Sequence, residues 1–236
     1  SFDDLDTDIT YLTSHDDCLD PFSLNLLDYS QWVNGGTGTQ LPNFSLVGPV
    51  SSNDIITDTG PDGTDELLWQ CTEQEGGGQP AAAASGGFNA TLTGIDDTLT
   101  YRYSIWVKRE HLTSGGTYLG LSQSTTNTIA GAPDTNPYFI SGQDLPAIDK
   151  WYLAVGLLHG SGYAGADTGL SGIYDPDTGL KVVSGVEFKI IPGSTTIVQR
   201  AYYFYADNIG DQQWMCRPRI DVVDGTEPDL ESLLGS

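Results

Sequence analysis

Residues 101–109 read YRYSIWVKR, and this stretch decides the fold class. Its side chains alternate with a period of two, which is typical of a β-strand that buries one face. The side chains predicted to face the core are Tyr101, Tyr103, Ile105 and Val107. Those on the other face are Arg102, Ser104, Trp106 and Lys108. Trp106 is therefore predicted to be a large aromatic side chain on an otherwise polar face.

Other segments repeat the strand pattern, and long helical periodicity is nearly absent. Residues 186–191 alternate, with Val186, Phe188 and Ile190 predicted to point inward and Glu187 and Lys189 outward. Residues 197–206, IVQRAYYFYA, are aromatic on both faces, which is typical of a central strand covered on each side. The last predicted strand, residues 213–223, places Trp214, Cys216, Ile220 and Val222 on one face. The core is predicted to include Tyr103, Ile105, Val107, Leu153, Val155, Phe188, Trp214 and Ile220.

These patterns predict an all-β protein, a jelly-roll β-sandwich of two mainly antiparallel sheets. Residues 1–23 are acidic and weakly patterned, so an arm or linker is predicted there. The sandwich is predicted over residues 24–223, followed by a short C-terminal helix and exit segment over 224–236. Thr226 is predicted to cap that helix.

The charge of the chain restricts its partners. Its 236 residues include 32 acids and 9 bases, a net charge of −23. This balance argues against binding to nucleic acid or to an anionic membrane. It also disfavours strongly anionic polysaccharides unless a divalent cation bridges the two. No stretch is apolar enough to predict membrane insertion.

The cysteines leave two interpretations open. Cys18, Cys71 and Cys216 form an odd set without metal-ligand spacing. Buried free thiols are one interpretation, and a bridge between Cys71 and Cys216 is the other.

Two regions supply candidate carbohydrate-binding residues. The first is the outer face of two strands, where Trp106 lies with Arg102 and where Arg217 and Arg219 follow on the last strand. Sheets stack sugar rings on exposed aromatic side chains, and guanidinium groups donate hydrogen bonds to hydroxyls. The alternatives are that a neighbouring loop covers Trp106 and that the cations pair with local acids.

The second region is the glycine-rich segment after the apolar run at 151–158, which reads HGSGYAGADTGLSG over 159–172. It bears His159 and Tyr163, and Tyr174 follows it. Loops on a rigid scaffold often carry binding residues. The alternative is that this loop only covers an open sheet edge.

The sequence favours a protein that is not an enzyme. Its three histidines do not form a metal motif, and it contains no GxSxG elbow and no phosphate-binding loop. It also lacks the internal repeats that a β-helix would need. No cofactor and no metal are predicted.

The order of motifs resembles the jelly-roll modules of bacteriophage tail fibres and other virion surface proteins, relatives of galactose-binding-like carbohydrate-binding modules. The matching segments are NLL…W (25–32), GPDGTDELL (60–68), YRYSIWVKR (101–109), NPYF (136–139), DKWYLAVGLLHGSGY (149–163), IYDPDTGLKV (173–182) and RPRIDVVDGTEP (217–228). The resemblance implies a jelly roll, with an outer-face aromatic where Trp106 stands. A structural calcium ion is common in the wider superfamily. Only Asp221 matches that pattern, and only loosely, so no calcium site is predicted.

Two functions remain open at this stage. The first is a non-catalytic module of a phage fibre or virion surface that recognises a host cell-surface carbohydrate. The second is a structural decoration or assembly module of a virion or extracellular appendage, without glycan binding. Both imply a location on a virion surface or outside the cell, and both allow other virion subunits, including copies of this chain, as partners. Exposure of Trp106, Tyr163 and Tyr174 would favour the first, and their burial between chains the second.

Overall fold

The computed structural model describes residues 24–36, 41, 43–78, 86–111, 114–122 and 125–235. The predicted arm, residues 1–23, and Cys18 lie outside these residues. The described strands are β1 Phe44–Leu46, β2 Asn53–Thr59, β3 Asp65–Thr72, β4 Gly87–Thr93, β5 Tyr101–Arg109, β6 Gly116–Leu121, β7 Thr126–Thr128, β8 Tyr138–Gln143, β9 Tyr152–His159, β10 Gly172–Tyr174, β11 Lys181–Ser184, β12 Phe188–Ile190, β13 Thr196–Phe204 and β14 Gln212–Val222. A 3₁₀ helix spans Val50–Ser52 and an α-helix, α1, spans Leu230–Leu234.

The strands form two sheets that pack face to face as a jelly-roll β-sandwich, which confirms the predicted fold class. One sheet has the order β1-β4-β13-β6-β8. The other has the order β11-β10-β9-β5-β14-β3-β2, with β12 joining β9 to β7 at one side. The pairings are antiparallel except for that between β12 and β9. Strand β13 is central in its sheet, as its aromatic residues on both faces predicted.

The core between the sheets follows the alternation of β5. Tyr101, Tyr103, Ile105 and Val107 are each at most 2% exposed and belong to the main cluster. Strand β9 contributes Tyr152 and Leu158 to the same cluster. The prediction for this face of β5 is confirmed.

A second hydrophobic cluster lies on the outer face of the larger sheet, where α1 covers it. It contains Leu68, Trp106, Trp151, Leu153, Val155, Tyr174, Cys216 and Leu233. Leu153 and Val155 are therefore buried, as predicted, but in this outer cluster rather than between the sheets. Asp229 caps α1 by accepting a hydrogen bond from the amide of Ser232, so the prediction of Thr226 as cap was wrong. Asp229 is the better cap because its carboxylate lies three residues before that amide.

Strand β14 changes face at a β-bulge. Cys216 pairs with Trp106 and Arg219 pairs with Ser104, so β14 advances three residues while β5 advances two. Arg217 sits in the bulge with a φ of 49°. Because of this extra residue, Met215, which precedes the bulge, and Ile220, which follows it, both point into the main core. The prediction that Trp214 and Cys216 share the face of Ile220 was wrong, since continuous alternation assumes no inserted residue.

Strand β12 is shorter than the predicted segment. Phe188 and Ile190 point into the main core as predicted, but Val186 is 50% exposed and precedes the strand. Glu187, predicted to point outward, is only 3% exposed.

Cys71 and Cys216 are buried free thiols, so they do not form the bridge that was one of the two interpretations. Burial raises the pKa of both thiol groups.

Within the described part of the chain, no helix is long and apolar enough to cross a membrane.

Candidate functional site

Trp106 is on the predicted face but is not available to a ligand. Its side chain is 2% exposed and lies in the cluster beneath α1, with Leu233 and Leu153. The alternative that a neighbouring loop covers Trp106 is correct about its burial but not about the cover, which is α1. Tyr174 belongs to the same hydrophobic cluster and is 7% exposed. Its hydroxyl group donates a hydrogen bond to the carbonyl of Leu170.

The three candidate arginines pair with acids. Arg102 lies 3.1 Å from Asp221 in a pair with side-chain exposures of 8% and 0%. Arg219 lies 2.7 Å from the other oxygen of the same carboxylate. Arg217 contacts Asp62 and Glu66, each at 2.9 Å.

Arg217, Arg219 and Trp106 line one crevice of about 300 Å³ beside α1. The crevice exposes almost none of the indole, and both guanidinium groups are held by carboxylates. The alternative in which the cations pair with local acids therefore holds for all three arginines, and Trp106 does not form an open stacking face.

Tyr163 and His159 form the candidate site that remains. Their rings stack with centroids 3.7 Å apart and planes 11° from parallel. The Tyr163 hydroxyl donates to the carbonyl of Ala166 at 2.7 Å. A Cβ at Gly165 would lie 2.4 Å from that hydroxyl, so only glycine leaves room for it. The ring of Tyr163 is thus fixed at its face and at its tip, while the side chain stays half-exposed.

The loop that carries Tyr163 is anchored by one buried carboxylate, that of Glu187. Its side chain is fully buried, and it lies 2.8 Å from Nε2 of His159. It also accepts hydrogen bonds from the amide and hydroxyl of Thr168 and from the amide of Leu170. Glu187 therefore joins both ends of the loop to β12 and holds His159 in the orientation on which Tyr163 stacks.

The pKa of Glu187 reflects this arrangement. Burial disfavours the charged carboxylate, but hydrogen bonds from Thr168, His159 and Leu170 outweigh burial and lower the pKa. A carboxyl group with a lowered folded pKa stabilises the fold above its unfolded pKa, about 4.3 for Glu. That contribution is lost as the pH falls through the lower folded value.

We therefore expect Glu187→Gln to flatten the acid limb of the stability curve. Between pH 7 and about pH 4, the wild type should hold its stability advantage over the variant, and below that the two should converge. Thermal melts across this range measure the effect. Glu75→Gln, which removes an exposed carboxylate, is the control and should run parallel to the wild type. A constant difference between wild type and Glu187→Gln down to pH 2 would contradict the assignment.

Tyr163 lines a cleft of about 890 Å³. Its walls come from the turn after β7, the start of β8, the β9–β10 loop and β12. The lining residues are Thr128, Ile129, Ala130, Asp134, Asn136, Tyr138, Ser141, Tyr163, Ala164, Gly165, Asp167, Val186, Glu187, Phe188 and Lys189. An aromatic ring surrounded by carboxylate, amide, hydroxyl and ammonium groups can stack a flat apolar face and hydrogen-bond to its polar edge.

Tyr138 connects this cleft to an aromatic cluster on the outer face of the five-stranded sheet. That cluster contains Tyr138, Tyr202 and Phe204, with Tyr118 packed against it. Gly120 makes room for it, because a Cβ there would lie 2.4 Å from the ring of Tyr138. The guanidinium of Arg200 lies 5.9 Å from the centre of the Tyr138 ring.

The sequence predicted two residues of the cleft region, Tyr163 and His159, and missed the others. Glu187 was assigned to the solvent side, and Tyr138 appeared only within the motif NPYF. A carboxylate between the apolar residues Val186 and Phe188, close to a loop rich in glycine, was the available signal. Asp134 and Asp167 gave no signal, since acids are common throughout this chain.

No group of three or more His, Cys, Asp or Glu side chains that could hold a metal ion occurs among the described residues.

No protein-family model matches the sequence. No curated protein matches it either. Solved structures match over most of this chain, with TM-scores below 0.5. One is TmCBM61 in complex with β-1,4-galactotriose, at 10% identity over 85% of this chain and 99% of that chain, with a TM-score of 0.46. Another is the CBM22-1 xylan-binding domain from Paenibacillus barcinonensis, at 11% identity over 88% and 98%, with a TM-score of 0.40.

A third similar structure is the enzymatically active domain of tailspike protein 4 of bacteriophage CBA120, at 10% identity and a TM-score of 0.42. The match covers 84% of this chain but only 21% of the tailspike chain. Similarity at identities and TM-scores this low assigns neither a ligand nor an activity to this chain.

Proposed function

We propose that this chain is a non-catalytic carbohydrate-binding module whose ligand occupies the cleft lined by Tyr163. The observation that carries the proposal is the fixed ring of Tyr163, stacked on His159 and set in an open cleft with polar walls. A pyranose ring presents axial C–H bonds to such a ring, while its hydroxyls meet the polar groups around it. A ring that is already fixed loses little side-chain entropy when a ligand binds.

The affinity of a single site is expected to be modest, from about millimolar to micromolar. One half-exposed ring buries little ligand surface, and the flexible hydroxyls of the sugar must be ordered. Several copies on one particle would raise the avidity by roughly 10²–10⁴ without any new contact.

The proposed setting is the surface of a phage fibre or virion, or another position outside the cell, where the module meets cell-surface glycans. The resemblance of the sequence motifs to tail-fibre jelly-roll modules supports this setting. The partners would be a host glycan and neighbouring subunits of the same particle. The alternative role, a structural or assembly module without glycan binding, is favoured if Tyr163 proves to lie in a contact between subunits.

No enzymatic activity is proposed. His159 is only 3% exposed, and its ring lies between the Glu187 carboxylate and the Tyr163 ring, an arrangement that supports the loop. Incubation with bacterial polysaccharides should release no reducing ends and no unsaturated sugars. Release that disappears in a His159→Ala variant would contradict this expectation.

Tyr163→Ala tests the binding site. On a glycan array and by calorimetry, we expect it to weaken binding at least about tenfold, since stacking on one aromatic ring contributes up to about 1.5 kcal/mol beyond its buried area. Tyr205→Ala, which removes another exposed tyrosine outside the cleft lining, is the matched control and should bind as the wild type does. Both variants should melt close to the wild type.

If the Tyr163→Ala variant binds glycan as tightly as the wild type, the proposal that the ligand occupies this cleft is wrong. If instead no glycan binds the wild type, and Tyr163→Ala changes its oligomeric state in sedimentation experiments, the assembly role is the correct one.

A further inference from the structure

The charges in the Tyr163 cleft are unevenly distributed. The lining side chains that carry charge at neutral pH are Asp134, Asp167, Glu187 and Lys189. Three are acids and one is a base, and the chain as a whole has a net charge of −23. A ligand in this cleft therefore meets a negative potential both locally and from the surrounding surface.

Two of these four groups take part in holding the loop. Glu187 accepts hydrogen bonds from His159, Thr168 and Leu170. Lys189 donates to the backbone carbonyl of Tyr163 at 3.3 Å. The hydrogen bonds of Glu187 occupy both of its oxygens. The ammonium group of Lys189 keeps its positive charge and two further N–H donors, so it offsets one of the three acids.

The other two acids keep one oxygen for a ligand. Asp134 accepts a hydrogen bond from the amide of Asn136 through Oδ1, at 2.7 Å. Asp167 does the same with the amide of Gly169, also through Oδ1 and at 2.7 Å. Within the described part of the chain, Oδ2 of each makes no hydrogen bond of its own. The two residues belong to different walls of the cleft that Tyr163 lines, Asp134 to the turn before β8 and Asp167 to the β9–β10 loop.

We infer, building on the proposed function, that this cleft selects glycans by charge and takes those that carry a free amine. The ligand class is deacetylated amino sugar, whose ammonium group donates to the Oδ2 atoms of Asp134 and Asp167. The same ammonium is attracted to the face of an adjacent aromatic ring. N-acetylated and neutral sugars keep only the stacking and hydroxyl contacts. Uronates and sulfated sugars are repelled by both carboxylates.

Calorimetry with three oligosaccharides of equal length tests the inference: glucosamine, N-acetylglucosamine and galacturonate tetramers. At about pH 5 the amine is an ammonium group, since even the α-amino group of a peptide, which an adjacent carbonyl makes less basic, titrates near 7.7–8.0. We expect the glucosamine tetramer to bind about tenfold more tightly than the N-acetylated one in low salt, and the galacturonate tetramer not to bind. The preference should shrink in about 0.5 M salt because exposed charges are screened.

Charge-removing variants separate a specific site from general attraction to an acidic protein. Asp134→Asn and Asp167→Asn should each reduce glucosamine binding about three- to fivefold and leave N-acetylglucosamine binding unchanged. Asp58→Asn removes one exposed charge on β2, outside the cleft lining, and should have no effect on either ligand.

An equal loss in all three variants would overturn the inference, since the attraction would then be general. Equal affinity for the aminated and acetylated tetramers, with binding still lost in Tyr163→Ala, would overturn the charge selection and leave the proposed function standing. Failure of every sugar to bind the wild type would overturn both.

Discussion

Trp106→Ala is expected to lower the free energy of unfolding by about 3–5 kcal/mol. The indole is 2% exposed and packs with Leu68, Leu153 and Leu233 between the larger sheet and α1. Truncation to alanine leaves a cavity that α1, with only five residues, cannot refill without losing its own contacts. Urea denaturation followed by circular dichroism measures the loss as a shift in midpoint at an unchanged slope.

The control for this variant is Tyr205→Ala, which truncates an aromatic side chain that is 45% exposed and should change stability far less. A Trp106→Ala variant that has the same melting temperature as the wild type but does not bind glycan would contradict the structure. It would mean that the indole is free in solution.

Strand alternation predicted the correct sheet face for Trp106 but not its burial. A period of two assigns each side chain of 101–109 to one side of the sheet. It does not show what lies over that side. The cover comes from Leu230, Leu233 and Leu234, more than 120 residues further on. Three leucines in a short terminal helix were a signal for a second apolar surface, and Trp106 was the natural partner for it.

The bulge in β14 shows a second limit. The side chains before Arg217 and those after it each alternate correctly, but the two halves are out of phase by one residue. The positive φ of Arg217 is unusual for a residue with a Cβ, so the sequence gives no local sign of it. Only the pairing with β5 shows that Met215 and Ile220 reach the same core.

Part of the candidate site was missed for a related reason. Glycine-rich composition located the loop and its aromatic residue, Tyr163. The anchoring carboxylate is 19 residues beyond Thr168 in sequence, and β12 brings it to the loop by pairing in parallel with β9. A contact of this kind depends on sheet topology, which periodicity does not encode.

Asp221→Asn is expected to cost about 3–5 kcal/mol of stability, although it changes neither the size nor the shape of the side chain. The Asp221 carboxylate is fully buried and lies 3.1 Å from Arg102 and 2.7 Å from Arg219. Arg102 is itself only 7% exposed, and its Nε has no hydrogen-bond partner. Removal of the carboxylate charge therefore leaves a buried guanidinium group without its ion-pair partner, and the exposed carboxylate of Asp229 is only a weaker, solvent-screened substitute.

The second substitution in a double-mutant cycle separates this cause from loss of a simple hydrogen bond. In the Asp221→Asn background, Arg102→Leu removes the unpaired charge, and it should restore much of the lost stability because the hydrophobic side chain suits a buried position. Arg219 is partly exposed and can turn its head group toward water. Asp224→Asn, three residues further along and exposed, is the control and should stay within about 0.5 kcal/mol of the wild type in urea titrations. If Asp221→Asn stays within the same range, the Arg102–Asp221 pair does not stabilise the sandwich.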